Sequence, residues 1–225
     1  DEALAASEAA GLAVRRWIEQ EKLAAFTMNF GDIAGAPGLP VVPFLEASKA
    51  MARGIGYGGE GDVLTAAFCG ALMQAAPETT FTEMFCPDWK GDRIFMSHMG
   101  EINADLTAGK PVLQQQPYPY SPAGEPVIAT GCMQPGRAWL LSLAPGAEET
   151  YSLIAAEVEV CDTNGEEKIN SGIRGWIRPQ MPVSDFLKKY SLAGGTHHKV
   201  LCYHAERELF ETFAETMNWK FVEIR

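Results

Sequence analysis

The sequence holds little that points to a disulfide framework, a membrane or a nucleic acid. Its five cysteines (Cys69, Cys86, Cys132, Cys161, Cys202) are odd in number and form no Cys-x-x-Cys pair. A reduced, cytoplasmic compartment accounts for that better than disulfides or a zinc knuckle. No run approaches the roughly 18–20 apolar residues that a membrane-spanning helix needs. No basic-then-apolar leader opens the chain, and a start at Asp1 leads us to expect a processed, trimmed or excised segment. Basic residues are scarce, with 18 Lys and Arg against 29 Asp and Glu, a formal net charge of −11. Such a surface repels phosphate backbones and anionic lipid, so neither nucleic acid nor a membrane is an expected partner. Neutral or cation-bound ligands suit it better. Against these absences stand 225 residues, 47% of them apolar, enough for a substantial core in one large or two small domains.

Periodicity divides the chain near residue 77. Before it, "ALAASEAAGLAVRRWIEQEK" (3–22) reads as an amphipathic helix with Leu12, Val14, Trp17 and Ile18 as its stripe. "AAFTMNF" (24–30) reads as a buried strand and "PFLEASKAMAR" (43–53) as a helix with Pro43 at its start. Asp62 is a plausible N-cap for a helix over 63–76. The alternation of strand and helix is that of a parallel, helix-covered sheet, although too few strands are present to complete one. After residue 77, "TTFTEMFC", "RIFMSHM", "PVIATGCM", "RAWLLSLA", "TYSLIAAEVEVCD" and "GIRGWIRP" read as strands divided by turns. The Asn164–Gly165 pair signals a hairpin. This portion reads as mainly antiparallel, a barrel or sandwich, with two helices ("SDFLKKYSL", "AERELFETFAETM") and a closing strand near the end. The expected fold class is therefore α/β followed by mainly antiparallel β, with domains over 1–77 and 78–225.

The stretch "GIGYGGEGD" (54–62) satisfies the G-x-G-x-x-G spacing through Gly54, Gly56 and Gly59. A dinucleotide fingerprint would lie between a strand and the helix it opens, but the preceding residues look helical. Glu60 and Asp62 would also crowd a pyrophosphate with like charge. A flexible connection remains open, as does a close backbone approach that presents Glu60 to a site. In "FTEMF", alternation places Phe81, Glu83 and Phe85 on one face. A carboxylate between two phenyl rings needs a partner, unless the strand is an edge and Glu83 faces water. His98 stands between two methionines, where a satisfied core histidine is the plain alternative to a ligand. The His197–His198 pair precedes a strand whose alternation would send the rings to opposite faces, so that one of them reaches a given site. His204 reads as a surface or capping residue.

Taken in order, "AFTMNF", "GYGGEGD", "FTEMF", "SHMGE" and "AGGTHHKV" resemble the L-fucose/L-arabinose isomerase superfamily, and L-arabinose isomerases most of all. The resemblance spans residues 10 to 220. It implies a fragment lacking an N-terminal domain: the end of a partial Rossmann-like middle domain, then a Greek-key β-barrel with helices. It also implies one Mn²⁺ ion, or another divalent cation such as Co²⁺ or Mg²⁺, held by Glu60, Glu83, His98 and His198. Phe30 and Met99 match apolar residues lining the family's sugar pocket, with Phe85 and His197 beside them. Arabinose-type members carry tyrosine at the Phe85 position, which leaves the sugar undefined. The implied reaction is aldose–ketose interconversion of a small neutral sugar through a cis-enediol, with Glu60 and Glu83 as the proton-handling pair and Glu60 as base. A metal-held hydride shift is the mechanistic rival. The family's homo-oligomers, trimers or hexamers, complete the site across subunits, so poor turnover is expected of the fragment alone. A non-catalytic sugar-binding or assembly domain and a His/carboxylate metal-dependent oxygenase are the alternatives.

Overall fold

Local chemistry sets the elements of the computed structural model, which describes residues 2–33, 38–120, 122–163 and 172–225. Helix α1 (Glu2–Glu21) buries Ser7, Ala10, Val14 and Ile18, spaced three or four apart as one helix face requires. Leu12 and Trp17, expected on that stripe, are exposed instead, because the small residues at 10 and 11 let the helix lie close to its neighbour. Strand β1 (Ala25–Thr27) is shorter than the run "AAFTMNF", and Phe30 belongs to the single turn α2 (Phe30–Ile33). Helix α3 (Phe44–Ala52) follows, then β2 (Gly56–Gly58) and α4 (Val63–Met73).

The glycine-rich stretch is therefore not a plain connection between helices, since it contains a strand. β2 pairs in parallel with β1, Ala25 opposite Gly56 and Thr27 opposite Gly58. A Cβ on Gly56 would lie 2.2 Å from the Gly70 amide nitrogen, and one on Gly58 would lie 2.6 Å from the Asp62 carbonyl oxygen. Only glycine lets β2 press this closely on α4. Asp62 caps α4 as expected, its carboxylate accepting from the Thr65 amide at 2.8 Å and the Thr65 hydroxyl at 2.6 Å.

The remaining strands are β3 (Thr79–Asp88), β4 (Arg93–Ser97), β5 (Val112–Gln115), β6 (Val127–Cys132), β7 (Gly136–Pro145), β8 (Tyr151–Val160), β9 (Ile173–Pro179), β10 (His198–Tyr203) and β11 (Lys220–Glu223). They form one nine-stranded sheet in the order β11-β8-β7-β10-β3-β4-β9-β6-β5, antiparallel except for β11–β8 and β6–β9. β8 also pairs with a third strand, β9, so the hydrogen-bonded path through β7, β10, β3, β4 and β9 returns to β8. β3 lies between β10 and β4 in this sheet, and only β1 and β2 remain of the expected parallel layer. Helices α5 (Val183–Leu192) and α6 (Arg207–Thr216) complete the chain. The Asn164–Gly165 hairpin lies outside the described residues.

Between Met84 and Cys86 the β3–β4 register shifts, leaving Phe85 opposite no residue of β4. A bulge of this kind adds one residue and re-aims its side chain. The main apolar cluster crosses residue 77, joining Val14, Phe26, Tyr57 and Leu72 to Trp139, Leu153, Val200 and Phe210. The small parallel pair and the large sheet thus share a core. Among the described residues, no helix is long and apolar enough to cross a membrane.

Candidate metal centre

Three adjacent strands and one turn bring the predicted residues together. In the ladders, Glu83 stands opposite His198 on one side and Ser97 on the other, which puts His98 next to it at the end of β4. Cross-strand neighbours of this kind have Cβ atoms about 5 Å apart. The His98 Nε2 lies 3.9 Å from a Glu83 carboxylate oxygen, and the two imidazole rings are 5.6 Å apart. Phe81, two residues before Glu83, packs edge-on against both rings at 5.0 and 5.1 Å. It excludes water from the floor of the site.

The turn after β2 supplies Glu60. Its backbone is left-handed, with φ of 58°, and the adjacent Gly61 also has positive φ. A non-glycine residue there stores on the order of 1 kcal/mol of strain. Gly59 explains the close approach, since a Cβ on it would lie 2.7 Å from His98 Cε1. The turn thereby places a Glu60 carboxylate oxygen 3.5 Å from His198 Nε2. Of the readings open for the glycine stretch, this geometry matches the presentation of Glu60 to a site.

Each histidine is oriented by a second carboxylate. His98 Nδ1 meets Glu101 at 2.6 Å, and His198 Nδ1 meets Asp62 at 2.9 Å. Glu101 is fully buried and also accepts from the Tyr57 hydroxyl at 2.9 Å. Both rings therefore direct Nε2 inward. The Nε2 of His198 is buried without a hydrogen-bond partner. Burial disfavours the charged form of His98, but the Glu101 carboxylate outweighs it and holds the ring's pKa above its usual value. Burial raises the Glu83 carboxyl, with the three nearby histidines opposing. Asp62 resists its own partial burial, and hydrogen bonds from His198 and Thr65 bring it down to about 2.

The four residues singled out as ligands do not fall in one group: they divide between two that share His198, the second of which includes His197. Glu60, His98 and His198 offer atoms within 4.8 Å of one another, as do Glu83, His197 and His198. His197 is the departure from expectation. It precedes the first paired residue of β10, so strand alternation does not govern it, and its ring stands 4.2 Å from that of His198. Phe30 approaches His98 at 6.3 Å, while Met99 and Phe85 line a cavity of about 220 Å³ that includes His98. The alternation that aligned Phe85 with Phe81 and Glu83 ends at the bulge. Glu101 and Asp62 went unrecognised in the sequence as orienting groups. The His-x-x-Glu spacing of "SHMGE" is the signal for the first, whereas Asp62 was legible only as a cap. His204 is exposed and pairs with Glu78 at 2.6 Å, three residues before α6 and away from this site.

An orphaned imidazole nitrogen between carboxylates, with each ring's other nitrogen tied, fits a divalent cation. Oxygen and imidazole donors without sulfur suit ions of the Mn²⁺ class. Comparison with known proteins shows the family of the chain. Residues 78–220 match the family model for the L-arabinose isomerase C-terminal domain, and residues 1–78 match that for the L-arabinose isomerase central domain. Similar proteins include an L-arabinose isomerase of Nocardioides sp., 29% identical over 217 residues, covering 94% of this chain and 42% of that protein. Another, from Clavibacter sepedonicus, is 28% identical over 222 residues, covering 95% of this chain and 43% of that protein. The chain thus spans less than half the length of these curated relatives.

Proposed function

Because the chain belongs to the L-arabinose isomerase family, we propose that it carries the metal-binding part of an aldose–ketose isomerase acting on a small neutral sugar. In this reading the sheet that returns on itself through β8 and β9 is the family's barrel, and β1–α4 is the end of its middle domain. The protein is cytoplasmic, works as a homo-oligomer, and draws the rest of its pocket from a further domain. The observation that carries the reading is the buried, unpartnered Nε2 of His198 facing Glu60, with His98 and Glu83 alongside.

His98, His198, Glu60 and Glu83 would hold Mn²⁺ or a similar cation. Such an ion, when bound, supplies Lewis-acid polarisation and a template for two neighbouring sugar oxygens. The protein does the rest. Glu101 and Asp62 fix the two rings so that both present Nε2. Phe81, Phe30 and Met99 keep the floor and wall dry, which strengthens the interactions within. Glu60, on an exposed turn, takes the proton from carbon. Glu83, half-buried beside His98, handles the hydroxyl proton, and together they complete a cis-enediol exchange. The acidic surface accords with a neutral substrate.

The test has two parts. Elemental analysis of the intact protein should find one Mn²⁺-class ion per chain. Glu60→Gln and Glu83→Gln should each lower aldose–ketose turnover by about 10²–10⁴-fold with the fold retained. Wild-type turnover in either variant removes that residue from the reaction. Glu60, His98 and His198 alone would also suit a two-histidine, one-carboxylate Fe²⁺ oxygenase. Oxygen uptake without isomerisation would favour that second reading.

A further inference from the structure

Lys199 follows His198 on β10 and so points to the opposite face of the strand, yet it is fully buried. Its ammonium lies 3.7 Å from the centre of the Tyr190 ring. It donates to the Tyr190 hydroxyl and to the Thr196 carbonyl. The Tyr190 hydroxyl donates to that same carbonyl at 2.8 Å. Gly195 packs on the Tyr190 ring so closely that a Cβ would lie 2.0 Å from Cε1, and Gly194 holds φ of +87°.

The tyrosine is thus clamped between a glycine turn and a lysine. The clamp closes on one residue, Thr196. Its hydroxyl donates to the His198 carbonyl at 2.8 Å and lies 2.8 Å from the Ser142 hydroxyl, while its amide faces Ser142 at 3.5 Å. Thr196 immediately precedes both histidines. Burying an amine is unfavourable in a way that burying a methionine of similar length is not. Filling space therefore does not explain Lys199, but fixing the turn does.

We infer that Lys199 is a positioning residue for His198: from the far side of β10 it locks, through Tyr190 and Thr196, the turn that sets where the His198 ring stands. The inference rests on the proposed metal centre, and its test separates the two. Isothermal titration of the intact protein with Mn²⁺ gives the affinity, and the visible spectrum of the Co²⁺-loaded form reports ligand geometry. Lys199→Met should raise the Mn²⁺ Kd about 10- to 100-fold, as loss of a group supporting a metal ligand does. It should also shift the Co²⁺ bands, with far-UV circular dichroism unchanged. A Lys199→Met protein that loses thermal stability but keeps wild-type affinity and Co²⁺ bands overturns the inference, because the lysine is then structural only. Should that variant not fold, Tyr190→Phe keeps the ring and removes the hydroxyl. It should weaken Mn²⁺ about three- to tenfold, and wild-type affinity there is equally fatal. A wild-type protein that binds neither ion fails the metal centre itself, and this inference with it.

Discussion

Two regions meet at the candidate centre, and they fix their side chains by different means. On the sheet side, ladder register on β3 and β10 places the backbones of Glu83 and His198, and His98 directly follows the last paired residue of β4. Moving either of those two backbones would require slipping a strand, which turns every side chain of that strand to the other face. On the turn side, Glu60 is placed by three residues, a missing Cβ at Gly59 and a left-handed backbone. The sheet spreads its constraint over dozens of hydrogen bonds, whereas the turn concentrates it in one close approach and some stored strain.

Substitutions can break this contrast. The largest effect is expected for His198→Ala on the sheet side, which should weaken Mn²⁺ on the order of 100-fold or more in a titration. Retained affinity would mean that the strands do not build the centre. Gly59→Ala attacks the turn by forcing a methyl to within 2.7 Å of the His98 ring. It should cost about 1–3 kcal/mol of stability by denaturant unfolding and lower metal affinity as well; a neutral result would show that the close approach is not required. Glu60→Gly separates strain from function. Relief of about 1 kcal/mol of left-handed strain, less about 0.5–1 kcal/mol for the entropy of a new glycine, should leave it up to about 0.5 kcal/mol more stable. The melting temperature should rise as metal binding falls, and a lower one would sink the strain argument.

The smallest effect reads the two regions without mutation. Burial pushes the thiol of Cys69, on α4 behind the turn, up to about 12, and that of Cys202, on β10, up to about 11. Alkylation at pH 8 should label exposed Cys86 and spare both. As denaturant is added, Cys69 should become reactive before Cys202, because its side of the molecule has only a two-stranded sheet. The reverse order would make the turn side the more robust.

Legibility in the sequence divides along the same line. The strands of the second portion other than β5, the Asp62 cap and the helices after residue 180 could be read from period and punctuation. Their order in the sheet could not, since pairing β10 between β3 and β7 depends on contacts between residues far apart in the chain. β2 was hidden because three residues with two glycines carry no strand pattern, and its partner β1 lies two helices and a loop away. His197 was misplaced by extending alternation one residue beyond the paired strand. Glu101 was missed because its spacing from His98 in "SHMGE" was not read as an imidazole–carboxylate contact, whereas the sulfur-free set of acidic and imidazole candidates was visible from the start.

The skipped residue in β3 has one more consequence. Phe85 faces the cavity from a place where the neighbouring strand offers no counterpart. Its ring meets Phe95 of β4 edge-on at 6.0 Å but has no ladder partner, whereas Glu83, two positions earlier, is tied to partners on both sides. On the proposed reading, altering this single ring would change which sugar fits while leaving the metal-binding groups where they are.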